Sequence, residues 1–270
     1  MLATSLVLGF VLLSQAWPNS ESSVPLHSRI KPPNGYQRTP ASEGSFAHWL
    51  RNLPVKPGRP LVRLHNGKLK GNQNAQFVVL DIDVGKKNLQ QCADAVMRLR
   101  AEYLWTTTQK KDICFRFTSG DKAKWSKWAA GIRPRIKGNN VSWSKRAKQN
   151  HSYNNFRRYL NSVFMYAGTY SLQKELKTVS HPSKLELGDV FIQGGFPGHA
   201  VIVVDVAINK SGVRKFLLAQ SYMPAQEIHI LRSPGRDSPW YLAKDMGNLQ
   251  TPEWAFRYEN LKRFSSKSCP

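Results

Sequence analysis

"GDVFIQGGFPGHAVIVVDVA", residues 188–207, joins a glycine-rich loop to an unbroken run of strand-forming residues, with one histidine, His199, at the joint. Three strands are expected around it: "DVFIQ", then "HAVIVVDVA", then "KFLLAQSY" after the turn "INKSGVR", together an antiparallel meander. Side chains alternate along such a strand, which puts Asp205 on the face of His199 but roughly 20 Å away at strand rise, too far to touch the ring. Gln220, on the next strand, is the nearer candidate. If it lies opposite Val201 it shares the His199 face, and a slip of one residue turns it away.

Upstream, "NLQQCADAVMRLRAEYLW", residues 88–105, contains no Gly or Pro and reads as the best helix in the chain. Asn88 is placed to cap it, with Gln91 three residues on as in a capping box. Leu89, Cys92, Val96, Leu99 and Tyr103 form one apolar stripe. Asp94, Arg98 and Glu102 recur every four residues, which permits an ion ladder on another face. A helix begun at Asn88 carries Cys92 a turn inside, where the helix dipole acts weakly.

The rest of the chain falls around these two signals. Residues 17–60 are dense in Pro, Ser and Asn and read as an extended arm, with "SFAHWLRNLP" a short helix inside it. "PLVRLHNG", "AQFVVLDIDVG" and "DICFRFTSG" read as strands, "SYNNFRRYLNSVFMYAG" as an amphipathic helix and "SLQKEL" as a shorter one. A basic, tryptophan-rich insertion occupies about 121–150, and residues 121–180 hold thirteen Lys or Arg against two Asp or Glu. The tail from "SPWY" is irregular and is expected to pack back over the sheet. Residues 61–264 therefore read as one α+β domain, followed by a tail at 265–270.

The chain has 270 residues, 41% of them hydrophobic, enough to bury a core. Forty Lys and Arg against seventeen Asp and Glu give a net charge of +23. Such a surface attracts polyanions: nucleic acid, anionic lipid or the acidic polymers of a cell envelope. The N-terminus selects among them, because the apolar run Leu2–Leu13 and the following Ser14-Gln15-Ala16 read as a signal peptide over residues 1–16. A secreted or periplasmic location is expected, with no spanning segment after the leader, and nucleic acid becomes the poorer partner. Cys92, Cys114 and Cys269 are too few for a disulfide framework, and an odd count leaves at least one thiol unpaired. No spacing of His, Cys, Asp or Glu suits a metal, and no glycine motif suits a nucleotide, so neither metal nor cofactor is expected.

Gly188-Asp189 followed by apolar residues, and Gly198-His199 opening a strand, resemble the second half of the NlpC-type cell-wall peptidases, which are papain-like cysteine hydrolases. The resemblance implies an α+β fold with a papain-like core, its N-terminal helix packed on an antiparallel sheet. It implies three roles: Cys92 as nucleophile, His199 as proton shuttle and a third polar residue on the next strand, here Gln220, orienting the ring. The chain departs from that pattern at Gln91-Cys92-Ala93, where those peptidases carry Asp-Cys-Ser. A second resemblance rests on "LQQCADAVMRLRAEYL", "GDVFIQGG", "PGHAVIVVD", "LLAQSYMPAQ", "SPWY" and "TPEW". Over roughly residues 60–264 these are similar to exported bacterial proteins described only as a domain of unknown function, which implies no activity.

Two functions follow as expectations. One is hydrolysis or acyl transfer at an amide of an envelope component, such as a peptidoglycan stem peptide, by Cys92, His199 and Gln220. Ser221 is a weaker nucleophile candidate, since no G-x-S-x-G surrounds it. The other is a non-catalytic envelope module that binds anionic polymers or glycans through Trp125, Trp128, Trp143 and Tyr222, aromatic faces flanked by cations. Buried tryptophans with lysines snorkelling around them are the structural alternative.

Overall fold

The nine residues His199–Ala207 are all buried. A strand in that position must satisfy a core on each side, and two cores are present in the computed structural model, which describes residues 22–265 and 269. The expected leader lies outside the described residues. Ala200, Ile202 and Val204 face a core shared with the helices. Val201, Val203 and Val206 face a smaller one closed by Leu249, Phe256, Tyr258 and Leu261 of the C-terminal segment.

The molecule is a mixed α/β structure around one nine-stranded sheet whose recorded pairings are all antiparallel. His199–Asn209 is central, flanked by Val190–Gln193 and Arg214–Gln220 as the meander requires. His229–Leu231 and Gln76–Val79 extend one side, and Leu261–Arg263 and Lys177–Thr178 the other. The helix Tyr153–Tyr166 appears where its apolar spacing places it, and the shorter one, expected over "SLQKEL", runs from Thr169 to Glu175.

Alternation fails at one point in the central strand. Ile202 pairs with Ala219 and Val203 with Leu218, but Asp205 pairs with Leu217, so a bulge absorbs one residue. Beyond it the faces exchange, and Asp205 points to the helical side instead of the His199 face. There its carboxylate, 0% exposed, meets the Nε atoms of Arg38 and Arg51, each at 2.7 Å.

Those arginines correct the expectation of an extended arm. Tyr36–Arg38 pairs with the central strand, the helix Phe46–Arg51 packs beside it, and Val24–Pro25 pairs with Pro54–Val55. Two of the segment's prolines, Pro25 and Pro54, lie opposite each other in that strand pair. The cysteines fit the odd count: Cys114 and Cys269 form a disulfide and Cys92 is the free thiol.

Removing the Asp205 charge leaves two guanidinium groups facing each other without their shared partner, a change that costs about 3–5 kcal/mol for a buried pair. Asp205→Asn is therefore expected to lower the thermal unfolding midpoint by about 10 °C, read by far-ultraviolet circular dichroism. An unchanged midpoint would show that the N-terminal elements are held by packing alone.

Candidate functional site

The helix expected from Asn88 begins instead at Cys92 and runs to Thr106. Asn88 is engaged elsewhere, its side-chain oxygen accepting from the Ala225 N–H at 2.7 Å. Gln91 is the N-cap, and its N–H donates to Asp94 Oδ2 at 3.0 Å, the backward half of a capping box moved three residues along. The ladder face turns inward: Arg98 and Glu102 are both 0% exposed and paired at 3.4 Å. The cap at Gln91 leaves Cys92 as the first residue of the helix. At that position the sulfur adjoins backbone N–H groups with no partner inside the helix.

The thiol is partly buried, close enough to the backbone amides of Ala93 and Ala200 for them to favour its charged form. Ala200 is the residue after His199. Burial pushes the Cys92 pKa from 9.0 to about 11, with the Asp94 carboxyl adding to the rise and the amides opposing it. Asp94 is itself pushed well above the usual carboxylate range by burial.

His199 opens the central strand from a loop that leaves no room at Gly198. A Cβ there would lie 2.4 Å from Thr169 Oγ1 and 2.6 Å from the Gly195 oxygen, so a side chain would move the histidine. The ring is 1% exposed, and three aromatic rings enclose it: Tyr222 at 4.8 Å, Trp254 at 5.3 Å and Phe256 at 5.7 Å between centroids.

At this end of the meander the register puts Gln220 on the His199 face, and the two side chains meet, Nε2 to Oε1, at 3.0 Å. A glutamine can flip its amide, but here its surroundings choose. Gln220 Nε2 lies 2.7 Å from Glu253 Oε2, which can only accept from it. The same nitrogen lies 3.3 Å from His229 Nε2, and His229 Nδ1 donates to the Glu227 carbonyl at 2.9 Å, which leaves that Nε2 as an acceptor. Both Gln220 hydrogens are thus committed, and Oε1 must face His199. The proton of the neutral His199 ring consequently sits on Nε2, with the lone pair on Nδ1. Lys70 completes the chain, its ammonium 2.6 Å from the same Glu253 oxygen. Burial nevertheless dominates the imidazole and lowers its pKa to about 4, the Gln220 bond and the Glu253 charge opposing it.

Cys92 and His199 line one cleft of about 690 Å³, which also takes in Tyr222 and Trp254. The thiol arrives from the helical side of the sheet and the imidazole from the tail side, and they share the cleft at the strand ends. The tryptophans of the basic region lie outside its lining. Trp125 is 3% exposed, packed among Trp105, Phe156 and Tyr159. Trp128 donates to Asn155 and carries Arg133 over one face at 4.0 Å, and Trp143 stacks on Phe117. Ser221 is fully buried, its hydroxyl within bonding distance of the Gln90 and Gln226 carbonyls. Glu253, His229 and Lys70 escaped the sequence reading. Glu253 stands in the "TPEW" signature, the one sign available, but nothing local ties it to a glutamine thirty-three residues away. Among the described residues no three His, Cys, Asp or Glu side chains cluster as metal ligands would.

Residues 26–263 match the model of a family described as Domain of unknown function (4846). No curated protein and no solved structure matches the chain.

The two pKa directions describe a resting cleft that holds a neutral thiol and a neutral imidazole. Alkylation of Cys92 by iodoacetamide is therefore expected to accelerate about tenfold per pH unit from pH 7 upward, following the thiolate toward its pKa of about 11. A rate already on a plateau at pH 6–8, followed by mass spectrometry of the labelled peptide, would mean that the pair ionises at rest.

Proposed function

The chain belongs to that family of unknown function, and from its own geometry we propose that it is a papain-like thiol hydrolase or acyltransferase acting on a component of the cell envelope. One observation carries the reading. A free thiol at a helix N-terminus shares a cleft with a histidine whose proton is fixed on Nε2, leaving Nδ1 as a base. Such an arrangement needs no ion pair at rest. As the sulfur attacks a carbonyl carbon, its proton passes to His199 Nδ1, and the first amides of the helix stabilise the oxyanion. The imidazolium then gives that proton to the leaving amine as the C–N bond breaks, and water or another acceptor resolves the thioester. Gln220 Oε1 holds the ring through both transfers, and the Glu253 carboxylate behind it favours the transient positive charge. Export is supported by the leader pattern at residues 1–16 and by the Cys114–Cys269 disulfide, a bond that persists in oxidising compartments.

Cys92→Ala is expected to abolish both labelling by a thiol-directed probe and release of new amines from purified cell envelopes. His199→Ala should keep the thiol and lose about a hundredfold or more in rate. Unchanged activity in Cys92→Ala would end this reading.

A second reading has its own observation. The hairpin Ile132–Lys137 and Asn140–Lys145 carries exposed Arg135, Lys137 and Lys145, continued by exposed Arg146 and Lys148, as an envelope-binding module with no chemistry would need. Under it, binding of an anionic polymer such as teichoic acid falls steeply with added salt while Cys92→Ala binds as tightly as the native chain. Salt-independent binding would count against it.

A further inference from the structure

The net charge and the cleft carry opposite chemistry. The chain is +23, yet among the described residues lining the cleft there is no Lys or Arg. Its acid–base groups other than tyrosines are Cys92, Asp94 and His199, all three disposed to the neutral form by burial. Lys174 comes near only behind Tyr170, with its ammonium 4.0 Å from the ring centroid and 2.6 Å from the hydroxyl. An anionic substrate therefore finds no cation in the cleft to receive it.

The walls are hydrocarbon instead. Nine large hydrophobic side chains are exposed among the described residues, and four of them gather on this one cleft: Phe196 at 98%, Met223 at 61%, Met165 at 53% and Tyr170 at 43%. They come from separate segments. Met165 and Tyr170 lie on the two helices Tyr153–Tyr166 and Thr169–Glu175, Phe196 on the loop entering His199, and Met223 on the loop leaving Gln220. Scattered apolar residues need no explanation, but convergence of four around a nucleophile does. Methionine suits such a wall because its flexible thioether moulds to hydrocarbon of varied shape.

We propose that the cleft selects acyl donors whose acyl group is a bulky, uncharged hydrocarbon, and that carboxylate-bearing groups such as those of a stem peptide are excluded. The assignment rests on Cys92 being the nucleophile. It separates two properties that the composition merges: basic residues outside the cleft meet the anionic surroundings, and the cleft itself takes a neutral apolar chain.

p-Nitrophenyl esters test it with the full chain. In the acylation step the Cys92 sulfur bonds to the ester carbonyl, the C–O bond breaks, p-nitrophenolate leaves, and the thiol proton passes through His199 to water. Each methylene buried in an apolar wall favours binding by about fourfold. The rate constant per molar ester is thus expected to be at least tenfold higher for p-nitrophenyl hexanoate than for the acetate, with the anionic hydrogen glutarate no faster than the acetate. Met223→Asp and Phe196→Asp, both at exposed positions, should bring the hexanoate-to-acetate ratio to within about threefold of one. Equal rates for all three esters, with acyl-Cys92 seen by intact mass in each case, would overturn the apolar assignment and leave the nucleophile standing. Absence of acyl-Cys92 with every ester would overturn the nucleophile, and this proposal with it.

Discussion

A strand buried on both faces has no freedom of register, because a shift of one residue moves every side chain into the wrong core. The central strand of this protein is under that constraint from His199 to Ala207. Its bulge is the consequence of a sequence with one residue too many for strict alternation: Val203 and Val206 must both reach the tail-side core, and Val204 and Ala207 both reach the helical one. The exchange of faces also delivers a charged side chain to the helical side, where two arginines from the N-terminal segment bind it. One irregularity thereby ties the first elements of the described chain to the middle of the sheet.

The same register sets the polar chemistry at the other end of the strand pair. Gln220 can orient His199 only because it lies on the same face, and its amide is fixed only because Glu253 and His229 accept both its hydrogens. Fully partnered buried networks of this kind hold one arrangement, since any flip leaves a donor facing a donor. The ion pair of Glu253 with Lys70 therefore positions a histidine that neither residue touches.

At Cys92 two influences compete and their sizes decide the outcome. A helix N-terminus favours a nearby anion by about 0.3–1 kcal/mol, less than one pKa unit. With burial and the Asp94 carboxyl acting against the nearby amides, the thiol is still pushed up from 9.0 to about 11. Desolvation wins, and an aromatic enclosure does the same to the imidazole. The apolar rim is thus continuous with the environment that keeps Cys92 and His199 neutral.

Much of this was legible in the linear chain. The meander, the two amphipathic helices and the placing of His199 at a strand start follow from periodicity, glycine and turn residues, which act over a few positions, whereas Gln220 is a candidate under one of two registers and only the strand pairing selects it. The chain could also name Cys92 as the thiol of interest by residue type. Four further features were settled only in three dimensions: the helix start at Cys92, the bulge that turned Asp205 away, the packing of residues 24–55 and the Glu253–Lys70 support behind Gln220. Each depends on a partner far off in sequence, and alternation rules carry no information about what lies across a core. Local pattern determines which face a residue prefers; which charge, ring or carbonyl waits there is determined by long-range packing, where a buried polar group must find its partner or cost more than the fold can spare.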